Sequence, residues 1–402
     1  MQALLKNKNL YGVITLLIVQ KYGGSSVADK ERIFNAASKI AASYDSGNNV
    51  VVIVSAQGNT TDMLIETANN IIIDAPKREL DMLLSTGEQQ SAALMSMALI
   101  SLGYKAISLN AWQAGIFTTD DYGNARITGI NTERIKHELS LGKIVIIAGF
   151  QGINNSMDIT TLGRGGSDTT AVAIAAALKA DKCEIYTDVN GIYTADPRIV
   201  PNAVLLESID YNVMLNYSSL GAKVLHNRSV ELAKNTGIDI SVKSSFSDNP
   251  GTLVTDCSEI NSKPISGITA EKLQAYITIS NLNDVYSLLK LLSTNKTIID
   301  MVSISDKFIS FSAKQSEIES ILNKVKSINE QIKTEVQTDL AKISIVGTSL
   351  HTKPEVLIKI VEVLKANSLN FTAISLSETK LFILVDERKC TDEINLLHKK
   401  LI

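Results

Sequence analysis

Short runs of β-branched residues alternate with longer Ala- and Leu-rich stretches over roughly the first 255 residues of the chain. This alternation is typical of a layered α/β domain with a largely parallel sheet. Each run ends just before residues rich in Gly, Ser, Thr or Asp, and in open α/β sheets ligands gather at the carboxyl ends of strands. We therefore expect the chemistry in the loops that follow the strands. The predicted strands are Ile14–Val19, Val50–Val54, Ala106–Leu109, Ile144–Ala148, Cys183–Thr187 and Ile238–Val242.

The pattern changes between Ser244 and Pro264, where helical periodicity is lost and Ser, Asp, Asn, Pro and Gly accumulate. We interpret this stretch as a linker region with a short strand at Thr252–Val254. Two similar segments follow it, because residues 298–305 (IIDMVSIS) align with residues 370–377 (NFTAISLS). Each segment comes after a strand, an apolar helix and a loop.

Two βαββ-type units in tandem are the simplest account of this repeat. The alternative is a coincidence between two amphipathic segments, and it is weaker because strand, helix and strand recur in the same order. The predicted strands are Ala275–Ser280 and Lys342–Val346, and the predicted helices are Asp284–Leu292 and Pro354–Ala366.

Composition mainly excludes classes of function. A chain of 402 residues is long enough for two or three domains. Its 39 Lys and Arg residues against 42 Asp and Glu residues give a net charge of −3, which argues against a nucleic-acid partner. The three cysteines match no CxxC spacing, so they indicate neither a disulfide framework nor a zinc site. The four histidines are dispersed and indicate no His-dependent mechanism.

The N-terminus imitates a short signal peptide, because Lys6 and Lys8 precede an apolar run from Val13 to Val19. No small-residue cleavage pattern follows the run. The run is also too short for a membrane helix and is rich in Ile and Val, which favours a buried strand. We therefore predict a cytoplasmic protein without a membrane partner, in which residues 1–13 form an N-terminal extension.

Lys21 opens the first candidate motif, Lys21-Tyr-Gly-Gly-Ser-Ser26, at the end of the first predicted strand. Glycines let backbone N–H groups approach phosphate oxygens, and an ammonium offsets charge on a transferred phosphoryl group. The Walker pattern GxxxxGK[ST] is absent. A Gly-Gly pair is usually only a turn, so this motif is weak by itself.

The second motif is Thr161-Leu-Gly-Arg-Gly-Gly-Ser-Asp-Thr-Thr170, before a predicted helix at Ala171–Lys179. Ser167 or Asp168 can cap that helix, whose free N–H groups would face an anion. Arg164 adds a planar fork that suits a carboxylate. A well-capped helix after a flexible loop is the structural alternative, and the convergence of arginine, glycines and cap favours a functional role.

Three further loops carry candidate chemistry. Tyr186–Arg198 offers hydroxyls, carboxylates and a cation that suit a nucleotide, although its Asn-Gly and Asp-Pro pairs would equally mark ordinary turns. Ser55–Asp62 follows the second predicted strand, and Ser85–Gln89 is predicted to open a helix that continues to Leu102. Glu88 either complements the dipole at the start of that helix or binds a substrate ammonium.

Together these motifs resemble the aspartate kinases, members of the amino-acid kinase family with ACT-type regulatory domains. The resemblance covers nearly the whole chain after residue 13, and several motifs in one order are far more specific than any one of them. The motifs that carry it are Lys21–Val27, Val54–Asp62, Leu84–Glu88, Trp112–Ile116, Gly149–Gly152, Gly163–Ala171, Thr187–Gly191, Thr194–Arg198 and Gly221–His226.

The resemblance implies an αβα sandwich with a mostly parallel central sheet, followed by two ACT units of the ferredoxin-like type. It implies transfer of the ATP γ-phosphate to the side-chain carboxylate of L-aspartate, which gives 4-phospho-L-aspartate and ADP at the entry to lysine, threonine and methionine synthesis. The domain boundaries that we predict are 1–13 for the extension, 14–255 for the kinase domain, 256–264 for the linker, 265–337 for the first ACT unit and 338–402 for the second.

Site residues follow from the resemblance position by position. Lys21 would stabilise the phosphoryl group and Asp168 would orient Lys21, while no protein metal site is implied because Mg²⁺ would be carried on the ATP phosphates. Glu88 would bind the α-ammonium of aspartate and Arg164 its α-carboxylate. Ser55, Thr60 and Thr61 would line the same pocket. The residues that would hold ATP, besides Lys21, are Gly23, Gly24, Ser25, Thr187, Asp188, Tyr193, Arg198 and Lys223.

This assignment is consistent with the composition. A carboxylate with an ordinary pKa near 4 is already ionised at pH 7, so the nucleophile needs no general base. Positioning and charge neutralisation then supply most of the catalysis. The chain therefore needs lysine, arginine, glycines and a helix end instead of histidine or thiolate.

Several positions depart from the family pattern. In the kinase half, Tyr22 replaces Phe, Ser25 replaces Thr, Asn190 replaces Asp and Asn227 replaces Pro, and the proposed catalytic set is intact. In the regulatory half, the first repeat lacks the Asp-x-Pro-Gly-like turn of an effector loop, and Glu355 stands where Gly is usual in the second. The choice between lysine, threonine or both as effector therefore stays open.

Two other functions compete with this one. Another amino-acid kinase, of the acetylglutamate or glutamate type, would lack the paired regulatory tail and the Ser85–Glu88 motif. A non-catalytic amino-acid sensor on the same fold would not need Lys21, Glu88, Arg164 and Asp168 together. The resemblance also implies pairing of the regulatory units of two chains, hence a homodimer or larger homo-oligomer.

Overall fold

The computed structural model describes residues 15–220, 224–256, 264–281, 285–294, 299–305, 308–328, 332–348 and 350–402. The chain divides into two compact units. The first unit comprises the N-terminal part to Ile192 together with residues 205–218 and 223–259, and the second comprises residues 193–204, 219–222 and 260–402. The predicted extension, residues 1–13, and most of the predicted linker lie outside the described residues.

The first unit alternates strands and helices as the hydrophobic pattern predicts. Its strands are β1 (Leu17–Tyr22), β2 (Asn49–Val54), β3 (Ala106–Leu109), β4 (Ile116–Thr118), β5 (Ile127–Ile130), β6 (Ile144–Ala148), β7 (Gln151–Ile153), β8 (Ile159–Thr161), β9 (Lys182–Thr187), β10 (Ser208–Asp210), β11 (Ile240–Ser244) and β12 (Thr252–Thr255). Its helices are α1 (Lys30–Asp45), α2 (Thr60–Ile71), α3 (Lys77–Ser101), α4 (Glu133–Ser140), α5 (Gly166–Leu178), α6 (Tyr211–Ser219) and α7 (Asn227–Thr236).

Eight strands form the large sheet, in the order β10-β12-β11-β9-β1-β2-β6-β3. Its neighbours pair in parallel except for β11 and β12. The mostly parallel α/β sheet that the sequence predicts is therefore confirmed. The predicted strands coincide with β2, β3, β6, β9 and β12 to within one residue, whereas β1 and β11 begin later than predicted.

Helices cover both faces of the large sheet. Tyr22, Val50 and Val52 pack with residues of α1 and α3 in one buried cluster. Lys21, the neighbour of Tyr22, contacts α5 through Asp168. Adjacent residues of a strand point to opposite faces, so α5 lies on the other face from α1 and α3. This arrangement is the αβα layering implied by the family.

The structure also contains a small sheet that the hydrophobic pattern does not predict. It has four strands in the order β5-β4-β7-β8. Each of them is only three or four residues long, which is too short to show a period of two. Helix α3 packs against β8, so the small sheet lies beside α3.

Two predicted helix starts are wrong. The helix predicted to open at Ser85 begins at Lys77, so Glu88 lies in the middle of α3 and not near its positive end. The helix predicted from Ala171 begins at Gly166, which places Ser167 and Asp168 in its first turn. The N-cap is Gly165, with φ of 70° and no side-chain cap, so neither Ser167 nor Asp168 caps α5.

The second unit contains the predicted repeat of strands and helices. Its strands are β13 (Ile265–Ser280), β14 (Asp300–Ile304), β15 (Phe308–Lys314), β16 (Lys333–Gly347), β17 (Phe371–Leu376) and β18 (Lys380–Asp386). Its helices are α8 (Val285–Thr294), α9 (Ile318–Ile328), α10 (Pro354–Ala366) and α11 (Cys390–Leu401). The helix predicted at Pro354–Ala366 coincides with α10.

One six-stranded antiparallel sheet joins both repeats, in the order β14-β15-β13-β16-β18-β17. The first half of β13 pairs with the second half of β16, and the second half of β13 pairs with the first half of β16. Leu273 and Asp339 have positive φ angles where the pairing shifts. The predicted boundary between residues 337 and 338 falls inside β16, and the division into five segments stays a prediction.

The segment from Tyr193 to Val204 belongs to the second unit although its neighbours in sequence belong to the first. Ala195 and Val200 are part of the buried cluster that α10 and α11 form over β16 and β18. The Thr194 Oγ1 atom lies 2.8 Å from His398 Nε2, and the Thr194 carbonyl accepts a 2.7 Å hydrogen bond from the Ile268 N–H. The side chain of His398 is thereby satisfied within the core.

Among the described residues, none of the helices is long and apolar enough to span a membrane.

Replacing Phe311 with Ala should destabilise the second unit by about 3–5 kcal/mol, because a buried aromatic ring is lost and a cavity remains. Phe311 is fully buried among Ile277, Leu288 and Val325. Phe308 on the same strand is 40% exposed and is the matched control. Urea denaturation monitored by far-UV circular dichroism measures both variants, and similar shifts for Phe311→Ala and Phe308→Ala would contradict this packing.

Candidate active site

The centre of the candidate site is an ion pair between β1 and α5. Lys21 Nζ lies 2.6 Å from Asp168 Oδ1, and both side chains are only 11% exposed. Lys21 is near the carboxyl end of β1, and Asp168 is in the first turn of α5. The two residues predicted to be catalytic are therefore in contact, at the sheet edge where the strand pattern predicts chemistry.

The glycine loop after β1 is held close to two neighbouring loops. The Gly23 N–H donates a 3.2 Å hydrogen bond to the Tyr186 carbonyl, and the Gly24 carbonyl accepts a 3.0 Å hydrogen bond from the Gly58 N–H. A Cβ atom on Gly24 would lie 2.6 Å from the Ala56 carbonyl oxygen. Only glycine fits at position 24, and the half-buried loop lies beside the Lys21 ammonium, an arrangement that suits phosphate oxygens. Ser25, also predicted to bind ATP, lies in this loop and is half-buried.

Glu88 is buried on α3 and faces the loop after β2. Its Oε1 atom accepts a 3.0 Å hydrogen bond from the Ala56 N–H, whereas Oε2 is buried without a partner. Burial raises the pKa of Glu88 to about 7, against the opposing hydrogen bond from Ala56. A buried acceptor without a partner is costly, so this oxygen is suited to a donor on a ligand.

Ser55, Thr60 and Thr61 belong to the segment that Glu88 contacts through the Ala56 N–H. Ser55 follows β2, and the two threonines begin α2. All three are half-buried. The γ-methyl group of Thr60 would be 3.4 Å from a Cβ on Gly87, which shows how closely α2 approaches α3 at the residue before Glu88. The structure therefore brings this predicted pocket lining together with Glu88.

Arg164 lies between two glycines in the left-handed region, Gly163 at φ of 76° and Gly165 at φ of 70°. A Cβ atom on Gly165 would overlap the ring of His226, so no other residue fits at that position. The Arg164 side chain is exposed, and no described residue forms a hydrogen bond or ion pair with it. The Arg164 guanidinium is therefore available to bind a ligand. No described contact joins Arg164 to Glu88 or Lys21.

Thr187 and Asp188, predicted to bind ATP, follow β9 beside the glycine loop. The Thr187 carbonyl accepts hydrogen bonds from the Ser245 N–H at 2.9 Å and from Ser245 Oγ at 2.8 Å. The Thr187 hydroxyl donates to Asp188 at 3.1 Å, and Asp188 is exposed. Neighbouring parallel strands β1 and β9 thus place both residues near Gly23.

The other predicted ATP-binding residues are placed differently. Tyr193 and Arg198 belong to the segment that groups with the second unit. Arg198 is 88% exposed and donates to both oxygens of Asp196, whose pKa is lowered by this pairing. Lys223 lies outside the described residues.

A buried network fixes the strands beneath the site. Glu184 on β9 accepts hydrogen bonds from Gln20 on β1 at 2.9 Å and from Lys243 on β11 at 2.7 Å. Burial alone would raise the pKa of Glu184, but the interactions with Lys243 and Gln20 leave it lowered. Next to this network the rings of Tyr22 and Tyr186 stack with centroids 4.7 Å apart. These contacts hold β1, β9 and β11 in a fixed arrangement. No sequence motif predicts them.

Sequence reasoning also missed Asp81 and Gln151, which connect α3 to the small sheet. Asp81 accepts hydrogen bonds from Gly123 and Thr161, and Gln151 donates to the Ser85 carbonyl. A usable signal is present, because polar residues recur at 78, 81, 85 and 88 on one face of a helix. The predicted start of α3 at Ser85 concealed that signal.

Among the described residues, no group of three or more His, Cys, Asp or Glu side chains could hold a metal ion. Asp168, the carboxylate nearest to Lys21, is engaged with that lysine.

Comparison with known proteins assigns the family. The model of the amino acid kinase family matches residues 17–244, and that of the ACT domain matches residues 335–399. An aspartokinase of Bacillus sp. (strain MGA3) is 44% identical over 95% of this chain and 96% of its own length. Aspartokinase 2 of Bacillus subtilis is 45% identical over 95% and 97%.

The chain belongs to the aspartokinase family. As a family member it is an enzyme, a phosphotransferase with a carboxyl group as acceptor. Aspartate kinase from Synechocystis matches with 39% identity and a TM-score of 0.56 over 95% of this chain and 68% of that chain. Aspartate kinase from Clostridium acetobutylicum has the same fold, with a TM-score of 0.79 at 23% identity over 96% of this chain and 100% of that chain. The aspartokinase fold accounts for the ACT-like second unit, and the catalytic function is supported over the sensor alternative.

Glu88 should make the stability of the ligand-free protein depend on pH. A carboxyl group whose pKa is raised from 4.5 in the unfolded chain to about 7 in the folded one destabilises the fold as pH rises between those values. Glu88→Gln removes this loss. The free energy of unfolding of the variant, relative to that of wild type, should therefore increase by about 2–3 kcal/mol between pH 5 and pH 8. Urea denaturation at both pH values measures the difference.

The control is Glu66→Gln, which changes an exposed carboxylate on α2. It should leave the difference between pH 5 and pH 8 at its wild-type value. An equal response of the two variants would contradict the buried, incompletely paired state of Glu88.

Proposed function

We propose that this chain transfers the γ-phosphoryl group of ATP to the side-chain carboxylate of L-aspartate. The observation that carries the proposal is the buried pair of Lys21 and Asp168 beside backbone that only glycine can form. A cation held at a strand end beside a glycine loop is suited to phosphoryl transfer, which depends on positioning and charge neutralisation.

The reaction balances without a general base. A carboxylate oxygen of aspartate attacks the γ-phosphorus, the bond from that phosphorus to the bridging oxygen breaks, and ADP leaves with the bond's electrons. The attacking carboxylate is ionised at pH 7, so no proton has to move. Lys21 would neutralise charge on the oxygens of the transferring group, and Asp168 would hold the Lys21 ammonium in position.

Aspartate would be recognised through its α-carbon substituents. The unpaired Oε2 atom of Glu88 would accept a hydrogen bond from the α-ammonium. Arg164, whose guanidinium is free of described partners, would bind the α-carboxylate through both oxygens. Ser55, Thr60 and Thr61 would line the pocket between them. A substrate must present both groups to use both residues, which favours an α-amino acid.

ATP would be held by the loops that follow β1 and β9. Gly23, Gly24 and Ser25 would surround the phosphates beside Lys21, with Thr187 and Asp188 on the neighbouring strand. Tyr193, Arg198 and Lys223 complete the proposed set. Mg²⁺ would be held mainly through phosphate oxygens and water, where it would neutralise phosphate charge.

The ACT-like unit supports feedback regulation by lysine, threonine or both, and pairing of two chains through these units. Aspartokinase III of Escherichia coli has been solved in complex with lysine and aspartate, at 23% identity to this chain. That likeness concerns the fold, so effector, oligomer and a cytoplasmic location of this chain are parts of the proposal.

The direct test incubates the protein with ATP, Mg²⁺ and L-aspartate and traps the acyl phosphate with hydroxylamine. Lys21→Ala should lower turnover by about 10²–10⁴-fold, because charge neutralisation in the transition state is lost. Lys136→Ala removes an exposed lysine on α4 and should retain wild-type turnover. A folded Lys21→Ala protein with near-normal turnover would refute the role of Lys21. Repeating the assay with lysine and threonine tests regulation.

Aspartate use should depend on the ionisation of Glu88. Because the pKa of Glu88 is about 7 without ligand, kcat/KM for aspartate should rise about tenfold from pH 6 to pH 8 and then level off. Glu88→Gln should lower kcat/KM for aspartate and remove this dependence. Glu66→Gln should keep the wild-type profile. Initial rates across this pH range decide the point, and a Glu88→Gln profile that still rises tenfold would show that another group titrates.

A further inference from the structure

One face of α3 carries an unusual line of polar residues. Arg78, Asp81, Ser85 and Glu88 fall within roughly a quarter of the helix circumference at 3.6 residues per turn. Asp81, Ser85 and Glu88 are buried, where apolar residues are the ordinary occupants. This polar stripe therefore has partners that offset the loss of hydration, and most of them come from the small sheet.

Asp81 makes the largest number of these contacts. Its Oδ2 atom accepts hydrogen bonds from the Gly123 N–H at 2.9 Å and the Thr161 N–H at 2.8 Å, and Oδ1 accepts one from the Thr161 hydroxyl at 2.7 Å. The residue is 1% exposed. A buried carboxylate that accepts hydrogen bonds from three different donor atoms forms a strong and directional connection.

Two neighbouring contacts strengthen this connection. Gln151 on β7 donates a 2.9 Å hydrogen bond to the Ser85 carbonyl, one turn further along α3. Arg78, one turn earlier, donates to Asp158 at 2.8 Å. The Asp81 contacts lie between these two, so α3 is joined to the small sheet over about two turns.

The segments that Asp81 binds lead directly to Arg164. Thr161 is the last residue of β8, and Arg164 follows it by three positions. A Cβ atom on Gly163 would lie 3.1 Å from the Gly123 carbonyl oxygen, so the two loops held by Asp81 also touch each other. Arg228 donates to the Leu162 carbonyl at 2.8 Å from the other side. The backbone before Arg164 is therefore fixed on both sides.

We propose that Asp81 is a positioning residue that fixes the Arg164 loop relative to Glu88 and thereby sets the affinity for aspartate. The inference rests on the proposed function, in which Glu88 and Arg164 bind the two substituents of one α-carbon. Those substituents have a fixed separation, so the two protein groups must be held at a matching distance. Asp81 and Glu88 are on the same rigid helix, seven residues apart.

The proposal predicts a split between the two substrates. The loops after β1 and β9, which would hold ATP, have no described contact with Asp81. Asp81→Ala should therefore raise KM for aspartate at least about tenfold, equivalent to 1.4 kcal/mol, while KM for ATP stays within about twofold. A residue that only supported the fold would change both constants or neither.

The conservative variant is Asp81→Asn. Its carbonyl oxygen can accept the two backbone N–H bonds, and its amide can donate to the Thr161 hydroxyl, which then acts as acceptor. KM for aspartate should stay within about threefold of wild type. Met82→Ala, at the next position of α3 and 50% exposed, is the control and should leave both constants unchanged.

If Asp81→Ala does not fold, Thr161→Val tests the proposal. This substitution removes the hydrogen bond from the Thr161 hydroxyl to Asp81 and keeps the one from the Thr161 backbone N–H. KM for aspartate should then rise at least about twofold with KM for ATP unchanged, and an unchanged KM for aspartate would overturn the proposal. So would a parallel rise of both constants in Asp81→Ala, or an Asp81→Asn variant as impaired as the alanine one. Wild-type protein that yields no hydroxamate would instead count against the proposed function.

Discussion

The ion pair between Lys21 and Asp168 joins an interior strand of the large sheet to the first turn of α5. Burying two charges costs free energy that their attraction only partly offsets, and removal of one partner leaves an uncompensated buried charge. The pair is therefore weak as a source of stability and strong as a constraint on position. In the ligand-free protein each charge neutralises the other. In the proposed reaction, Lys21 would share its donors with phosphate oxygens while Asp168 holds the ammonium in position.

Close approaches between segments around the proposed site require glycine at several positions. Gly24 lies against the Ala56 carbonyl, Gly165 lies against His226, and a Cβ on Gly87 would be 2.9 Å from the Cβ of Ala56.

Gly87 also explains why the predicted start of α3 is wrong. Glycine in a helix interior costs about 1 kcal/mol relative to alanine, so Ser85-Thr-Gly-Glu resembles a helix start. Here close contact with the loop after β2 offsets that propensity, and it brings Glu88 to the Ala56 N–H.

The parts of the fold that the sequence predicts are those with a strong local signal. Strands β2 and β6 are continuous apolar runs, and the structure buries nearly all of their residues. The strands of the small sheet carry no such signal, since each is three or four residues long and buried polar side chains such as Thr160 and Thr161 are among them. For the proposed site, motifs predict Lys21, Glu88 and Asp168, and the structure places Lys21 and Asp168 in contact. Asp81 accepts hydrogen bonds from the backbone of Gly123 and Thr161 and from the Thr161 hydroxyl, and only the polar face of α3 could indicate it from the sequence.

The second unit shows a further limit of local patterns. The sequence predicts its repeats from recurring strands and helices, but the antiparallel pairing of β13 with β16, which joins them, connects residues far apart in sequence. The same holds for Thr194 and His398, which are 204 positions apart. The segment that contains Tyr193 and Arg198 takes its conformation from this core, through Ala195, Val200 and the Ile268 N–H. A local motif predicts a nucleotide-binding role for these residues, whereas packing within the second unit determines where they lie.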